Sequence, residues 1–215
     1  MATIPSLIQE IHGVLAYEPE ALEVDHPWDA AGPYTFSKTW PKLPDNFYCE
    51  LIEGHIIMSP AARYDHGYLS SLLHAILFDI AEENDADAMS APLDIVFAER
   101  VVLQPDLIYV DKTRRTQVVD GVMRGASNLV VEIISPSHPG RDRKKKFKLY
   151  QKYGVPEYWL FDPRDQTQDF YVLVDGKYQQ VHPNAQGIYR SPVLSVLKIS
   201  TKEIWKKYLK RFPNR

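Results

Sequence analysis

The spacing of apolar residues along the chain predicts a mixture of helices and strands. A run of leucines and isoleucines has helical spacing and predicts a helix over 66–84 (Leu69, Leu72, Leu73, Ile76, Leu77, Ile80). The segment NLVVEIIS at 128–135 is a short apolar run typical of a central strand. Residues 48–59 predict two strands joined by a turn at Glu53-Gly54, the second strand covering 56–59. Other segments predict strands at 93–97, 101–103, 107–110, 158–161, 170–174 and 178–181, and helices at 5–15, 141–153 and 201–212.

This order of elements predicts an α/β protein of the α+β kind, in which helices flank a mixed central sheet with hairpins. The first 45 residues are rich in proline, aromatic and turn residues, and they predict an irregular arm over 1–45. The remaining residues, 46–215, are expected to form a single domain. With 45% hydrophobic residues, the chain can build a sizeable core.

Composition excludes several classes of protein. No apolar run approaches the roughly 20 residues that span a bilayer. The N-terminus lacks the basic start and apolar stretch of a signal peptide. The single cysteine, Cys49, excludes an internal disulfide framework and a multi-cysteine zinc site. We therefore expect a cytoplasmic protein that makes no membrane contact.

Charge is unevenly distributed along the chain. The total is −3, yet residues 141–152 carry +6 and residues 202–215 carry +5, which leaves −14 for the rest. Such segregation can attract a polyanion such as DNA to one face. The alternative is two solvated helix faces, because basic helix surfaces are common.

Two carboxylates stand out in the predicted strands. Glu132 interrupts an apolar strand, where an ionised carboxylate needs a cation, a metal or a proton. The alternative is a buried salt bridge to a core arginine or lysine. Asp106 follows Pro105 at the start of another predicted strand, and the alternative there is an ordinary strand-edge aspartate. If the two strands are neighbours, these side chains can share Mg²⁺ or Mn²⁺. Without a metal, the two carboxylates would repel, so neutralising one is expected to raise thermal stability.

The basic segment at 141–153 contains one lysine that differs from its neighbours. At about 100° per residue, Lys146 falls in the middle of the apolar arc of a regular helix. The other lysines fall on the opposite side (Lys144, Lys145, Lys148, Lys152). Lys146 is therefore predicted to point inward, unless its ammonium extends to water while its stem packs on aromatic rings.

These residues lie in an ordered set of motifs that resembles a known family. The motifs are CELIEG at 49–54, SPAARYDHG at 59–67, QPDLIYV at 104–110, LVVEIISPS at 129–137 and GVPEYWLFDP at 154–163. Asp142, Lys146 and Tyr150 follow at four-residue spacing between the last two motifs. Over roughly 40–181, the chain is similar to the Uma-type family of putative restriction endonucleases in the PD-(D/E)XK nuclease superfamily.

The resemblance implies a restriction-endonuclease-like core and a set of site residues. Asp106 and Glu132 match the acidic pair that holds the metal, with help from the Ile133 carbonyl. The catalytic lysine of the superfamily normally lies two residues after the glutamate, where this chain has Ile134. Lys146 is the migrated replacement, and it would position the attacking water or offset charge that develops on the phosphate. Glu50 matches an N-terminal glutamate that acts as an outer metal ligand. Cys49 and His55 depart from the family pattern, where tyrosine and glutamate are frequent.

Three further residues are candidates for substrate binding: His66, Gln104 and Arg143. His66 also falls in the family pattern, where it could orient a phosphate or a metal-bound water. The alternative for His66 is a capping or packing role at the start of a helix.

The resemblance implies a Mg²⁺- or Mn²⁺-dependent endonuclease that acts on DNA. A double-strand cut needs two symmetry-related sites, which favours a homodimer. Two alternatives stay open. One is a nucleic-acid-binding or scaffold protein that keeps the nuclease fold without efficient cleavage, and the other is a metal-dependent hydrolase of small phosphate esters.

Overall fold

The computed structural model describes residues 32, 34–43, 48–58, 62–135 and 141–213, apart from the side chains of residues 141 and 142. The predicted helix at 5–15 and most of the predicted arm over 1–45 lie outside these residues. In the described chain the α-helices are α1 (Phe36–Thr39), α2 (Tyr64–Glu82), α3 (Phe147–Lys152) and α4 (Thr201–Arg211). A π-helical turn, Arg141–Lys146, leads into α3, and short 3₁₀ turns occupy Trp40–Lys42 and Arg115–Gln117.

The strands are numbered in chain order. They are β1 (Cys49–Ile52), β2 (His55–Met58), β3 (Ala86–Ser90), β4 (Ile95–Ala98), β5 (Val101–Leu103), β6 (Leu107–Asp111), β7 (Val118–Val119), β8 (Val122–Arg124), β9 (Leu129–Ile133), β10 (Glu157–Asp162), β11 (Thr167–Val174), β12 (Lys177–Val181), β13 (Ile188–Arg190) and β14 (Lys198–Ser200).

The described chain divides into two compact units. The first unit contains the described residues up to 58 together with Asp94–Gln104. Within it, the strands pair antiparallel in the order β2-β1-β5-β4. The turn between β1 and β2 places Glu53 at φ 55° and Gly54 at φ 90°. Positive φ at both central residues is the geometry of a tight hairpin, as the sequence predicts at this point.

The second unit contains residues 62–93 and 105–213 and is built on a six-stranded sheet. The strand order is β12-β11-β10-β9-β6-β3. β9 pairs parallel with β10 and antiparallel with β6, so the sheet is mixed. All five residues of β9 are buried, as expected for a central strand.

Side chains alternate between the two faces of this sheet. The odd-numbered residues of β9 join the main core, which also contains α2 and α4 side chains such as Leu73 and Ile204. Glu132 lies on the other face, where α3 packs through ring contacts of Tyr150 and Phe147 with Tyr158. The sheet is therefore covered by helices on both faces, and the predicted mixed sheet flanked by helices is confirmed.

The long helix α2 follows directly from its sequence. Its buried leucines recur every four residues and form one continuous stripe against the core (Leu69, Leu73, Leu77). In the described part of the chain, neither α2 nor any other helix has the length and apolar character needed to cross a membrane.

The predicted helix over 141–153 is wrong in detail. Residues 141–146 form a wider π-helical turn, and the α-helix covers only Phe147–Lys152. Such turns close i→i+5 hydrogen bonds and therefore hold more residues than an α-helical turn. Gly154 follows at φ 76°, the left-handed conformation that ends many helices.

Candidate active site

Asp106 and Glu132 lie on neighbouring strands of the second unit. Asp106 immediately precedes β6, and Glu132 is part of β9. The two strands run antiparallel with Leu107 opposite Val131, so the register continued by one residue sets Asp106 opposite Glu132. Residues directly opposite in an antiparallel pair share one face. The register therefore brings the two predicted carboxylates to the same face and the same end of the sheet.

Asp106 is fastened to the end of β9 through its side chain. Its Oδ2 atom accepts a hydrogen bond from the Ile133 main-chain N–H at 2.7 Å. Its Oδ1 atom accepts no hydrogen bond from the described residues, and the side chain is 18% exposed. The Oδ2 atom is thus bonded to the backbone of β9, and the Oδ1 atom is available to a ligand.

His66, near the start of α2, lies against the same two groups. Its Nε2 atom is 3.1 Å from the Ile133 carbonyl oxygen and 3.3 Å from Asp106 Oδ2. Both neighbours are hydrogen-bond acceptors, so the proton of the ring belongs on Nε2. His66 therefore contacts two of the predicted metal ligands. Its Nε2 atom bonds to the carbonyl of Ile133 in β9 and does not cap the helix that carries it.

Glu132 accepts two hydrogen bonds on one oxygen. Its Oε1 atom lies 2.9 Å from Lys146 Nζ and 2.6 Å from the Tyr150 hydroxyl. All three side chains are buried. A charged donor and a neutral donor together stabilise a carboxylate that would otherwise be costly in this apolar strand.

Lys146 points into the protein, and its ammonium donates to Glu132 instead of extending to water. The neighbouring lysines are exposed (Lys144, Lys145, Lys148, Lys152). The contact has the form of the buried salt bridge considered above, and its partner is the lysine for which a catalytic role is predicted. The role itself stays a prediction.

Tyr150 joins the candidate site, although the sequence assigns it no role beyond its place in the family spacing. The signal was present, because Tyr150 follows Lys146 by four residues and such residues share one side of a helix. The sequence did not show that both side chains meet the same oxygen of Glu132, because that contact joins α3 to β9.

Glu50 and Gln104 belong to the first unit, whereas the candidates described so far belong to the second. Glu50 is buried in β1, and its Oε1 atom accepts a hydrogen bond from the Gln104 main-chain N–H at 2.9 Å. The Gln104 side chain donates to Asp94 at 2.8 Å. These contacts explain how a buried carboxylate is tolerated in β1, and the roles of Glu50 and Gln104 in metal or substrate binding stay predictions.

Arg143 projects from the π-helical turn toward two aspartates. Its guanidinium lies 3.1 Å from Asp162 and 3.2 Å from Asp169. Burial acts to lower the pKa of Arg143, but the hydrogen bonds and negative charge of the two aspartates raise it. The predicted role of Arg143 in substrate binding thus competes with two ion pairs inside the protein.

The donors at this end of the sheet fit a hard divalent cation. Asp106 and Glu132 offer carboxylate oxygens and Ile133 offers a carbonyl, the ligand types that Mg²⁺ and Mn²⁺ prefer. Among the described residues, no three His, Cys, Asp or Glu side chains form a metal-binding cluster. A small number of protein ligands is compatible with Mg²⁺, which is commonly held by one or two carboxylates and keeps several waters.

Comparison with known proteins identifies the family and the fold of this chain. Residues 36–201 match the model of the Uma2 family, described as “Putative restriction endonuclease”. The crystal structure of “a putative nuclease belonging to DUF820 from Anabaena variabilis ATCC 29413” matches 82% of this chain and all of that chain, with a TM-score of 0.67 and 23% sequence identity. This likeness confirms the predicted fold class. The search of curated proteins found no match. Because the family match spans more than three quarters of the 215 residues, the chain belongs to the Uma2 family of restriction-endonuclease-like nucleases.

Proposed function

We propose that this chain is an endonuclease that hydrolyses phosphodiester bonds in DNA with the help of Mg²⁺ or Mn²⁺. The observation that carries the proposal is that the register of β6 and β9 sets Asp106 opposite Glu132, and that Lys146 donates a hydrogen bond to Glu132. Family membership supports a nuclease. The acidic pair and the lysine support metal-assisted hydrolysis as its chemistry.

Each residue of the site has a distinct role in this proposal. Asp106, Glu132 and the Ile133 carbonyl would hold the ion. When bound, a divalent ion polarises the phosphate and lowers the pKa of a water. The Lys146 ammonium offsets negative charge that develops on the phosphate, which requires its contact with Glu132 to lengthen. His66 keeps the Asp106 and Ile133 oxygens together through its Nε2–H group.

The exposed lysines on the turn and helix that carry Lys146 support DNA as the substrate. We call Lys144, Lys145 and Lys148 the basic surface, and all three are exposed on the turn and helix that carry Lys146. Ammonium groups on such a surface neutralise backbone phosphates without reading sequence. A double-strand cut would use two copies of the site, so we propose a homodimer as the cleaving assembly, to be checked by light scattering.

Plasmid nicking with matched variants tests the proposal. Nicking should require Mg²⁺ or Mn²⁺, stop when a chelator is added, and be absent from Asp106→Asn. Lys146→Met should lose roughly 10²–10³ in single-turnover rate, the usual loss when one preorganised electrostatic group is removed. Lys152→Met loses the same charge from an exposed site and should stay within a few-fold. Full cleavage by Asp106→Asn, or equal rates for the two lysine variants, would contradict these assignments.

One observation favours a second candidate function. The Lys146 ammonium pairs with Glu132 inside the protein, so a cation of the chain itself compensates this carboxylate, as it would in a nuclease-fold protein that binds DNA without cutting it. DNA binding without cleavage across Mg²⁺ and Mn²⁺ would identify this function. Turnover of a small phosphodiester without DNA affinity would instead identify a hydrolase of small phosphate esters.

A further inference from the structure

Two donors from consecutive helical turns meet one oxygen of Glu132. Lys146 and Tyr150 are four residues apart, and both reach Oε1, at 2.9 Å and 2.6 Å. A salt bridge alone would need only the lysine. The second donor is a phenol whose ring is completely buried, so its hydroxyl is directed at the carboxylate by packing.

The two donors differ in how firmly they are held. The Lys146 ammonium sits at the end of a flexible four-carbon stem. The Tyr150 ring packs against Tyr158 with ring centroids 5.3 Å apart, and Tyr158 stacks in turn on Tyr171 and Tyr178. The phenol is therefore the more rigidly held donor of the pair, and the ammonium is carried by the more flexible side chain.

We propose that Tyr150 is a positioning residue that fixes the orientation of the Glu132 carboxylate for metal binding while Lys146 turns toward the substrate. The inference rests on the proposed function, in which Lys146 must turn toward the phosphate. At that moment Glu132 keeps the phenol as a donor, so its orientation does not depend on the lysine. Groups that hydrogen-bond a metal ligand typically contribute 10–100-fold to metal affinity.

Binding of Mn²⁺ in the absence of DNA tests this role. Tyr150→Phe removes only the hydroxyl, and titration followed by electron paramagnetic resonance of free Mn²⁺ should show about 10-fold weaker binding. With Mn²⁺ and DNA saturating, the cleavage rate should return to within a few-fold of the wild-type rate, because Lys146 is retained. A purely structural role would predict a change in stability without this separation of metal affinity from rate.

Tyr178→Phe is the matched control. Tyr178 belongs to the same group of rings, and its hydroxyl donates to the Val155 carbonyl at 2.9 Å rather than to Glu132. This variant loses the same atom and one hydrogen bond, so it should bind Mn²⁺ as the wild type does. Equal Mn²⁺ affinity in Tyr150→Phe and Tyr178→Phe would overturn the inference.

A measurement on the wild-type protein covers the case in which Tyr150→Phe does not fold. Addition of Mn²⁺ should change the ultraviolet absorption of a tyrosine, because the Tyr150 phenol senses charge at Glu132, and Tyr178→Phe should keep that signal. Mn²⁺ binding without any tyrosine signal would overturn the inference. Failure of the proposed function would look different: the wild type would bind no Mn²⁺ and leave DNA intact, and this inference would fall with it.

Discussion

At the scale of single residues, Glu132 shows why the site cannot be treated as two repelling carboxylates. The expected gain in stability from neutralising one of them assumes that no cation is nearby. The structure contradicts that assumption, because the Lys146 ammonium donates to Glu132 inside the protein. Removing the Glu132 charge would therefore take a carboxylate partner away from a buried ammonium, which is costly.

We predict that Glu132→Gln lowers the free energy of unfolding by about 3–5 kcal/mol, the usual cost of breaking a buried ion pair from one side. The double variant Glu132→Gln/Lys146→Met removes both charges and should regain much of that loss. Denaturant unfolding of the two single variants and the double variant measures the coupling between the residues. Additive losses in the double variant would mean that the pair contributes little to stability.

Glu157 is a second buried carboxylate, and it responds to pH in a way that can be tested. Its oxygens accept hydrogen bonds from Trp159, Tyr189 and Ser191. Burial raises the pKa of Glu157 above its ordinary value of 4.5, although these hydrogen bonds lower it in part. Protonation therefore favours the folded state, so this group stabilises the protein below pH 4.5 and loses its contribution as pH rises through the higher folded pKa.

We predict that the wild type loses stability relative to Glu157→Gln as pH rises from about 4 to about 7, because the neutral amide does not ionise. The measurement is the difference in free energy of unfolding between the two proteins at each pH. A constant difference would show that Glu157 keeps an ordinary pKa in the folded protein.

At the scale of elements, strong periodic patterns were predictable and weak ones were not. The leucine stripe of α2 and the apolar run of β9 determine their own conformation. The edge strand β3 reads ADAMS, which has little β-propensity, and it forms because it pairs along its whole length with β6. The three-residue strands β13 and β14 are too short to show a period of two.

The turn and helix that carry Lys146 allow a test of the basic surface. Replacing Lys144, Lys145 and Lys148 together with glutamine should weaken DNA binding and flatten its dependence on salt. Each lost phosphate contact makes the negative slope of log affinity against log salt less steep by about 0.9 for duplex DNA. Affinity measured at several salt concentrations gives this slope, and an unchanged slope would show that these lysines do not contact the backbone.

At the scale of the whole molecule, the family and fold class were accessible from sequence because they depend on ordered motifs and element order. The division into two units was not, because the first unit takes Asp94–Gln104 from the middle of the chain while the flanking residues belong to the second. Asp106 follows this boundary by two residues and sits in the second unit's sheet. The sequence does not indicate this exchange of segments, because the composition does not change at Asp94 or at Gln104. The single domain over 46–215 stays a prediction.

The side-chain link between Asp106 and the Ile133 N–H group has a consequence for hydrogen exchange. The Asp106 side chain protects the Ile133 amide from exchange and also belongs to the proposed metal site. A substitution of Asp106 should therefore change the exchange rate of the Ile133 amide. Asp106→Asn keeps an acceptor oxygen and should preserve slow exchange of the Ile133 amide with deuterated water. Asp106→Ala removes the acceptor, and exchange at Ile133 should become faster while the amide of Val131, deeper in the ladder, stays protected. Both substitutions would abolish metal-dependent cleavage, yet only the alanine would open this end of the sheet, so exchange rates can separate the chemical role of Asp106 from its structural one.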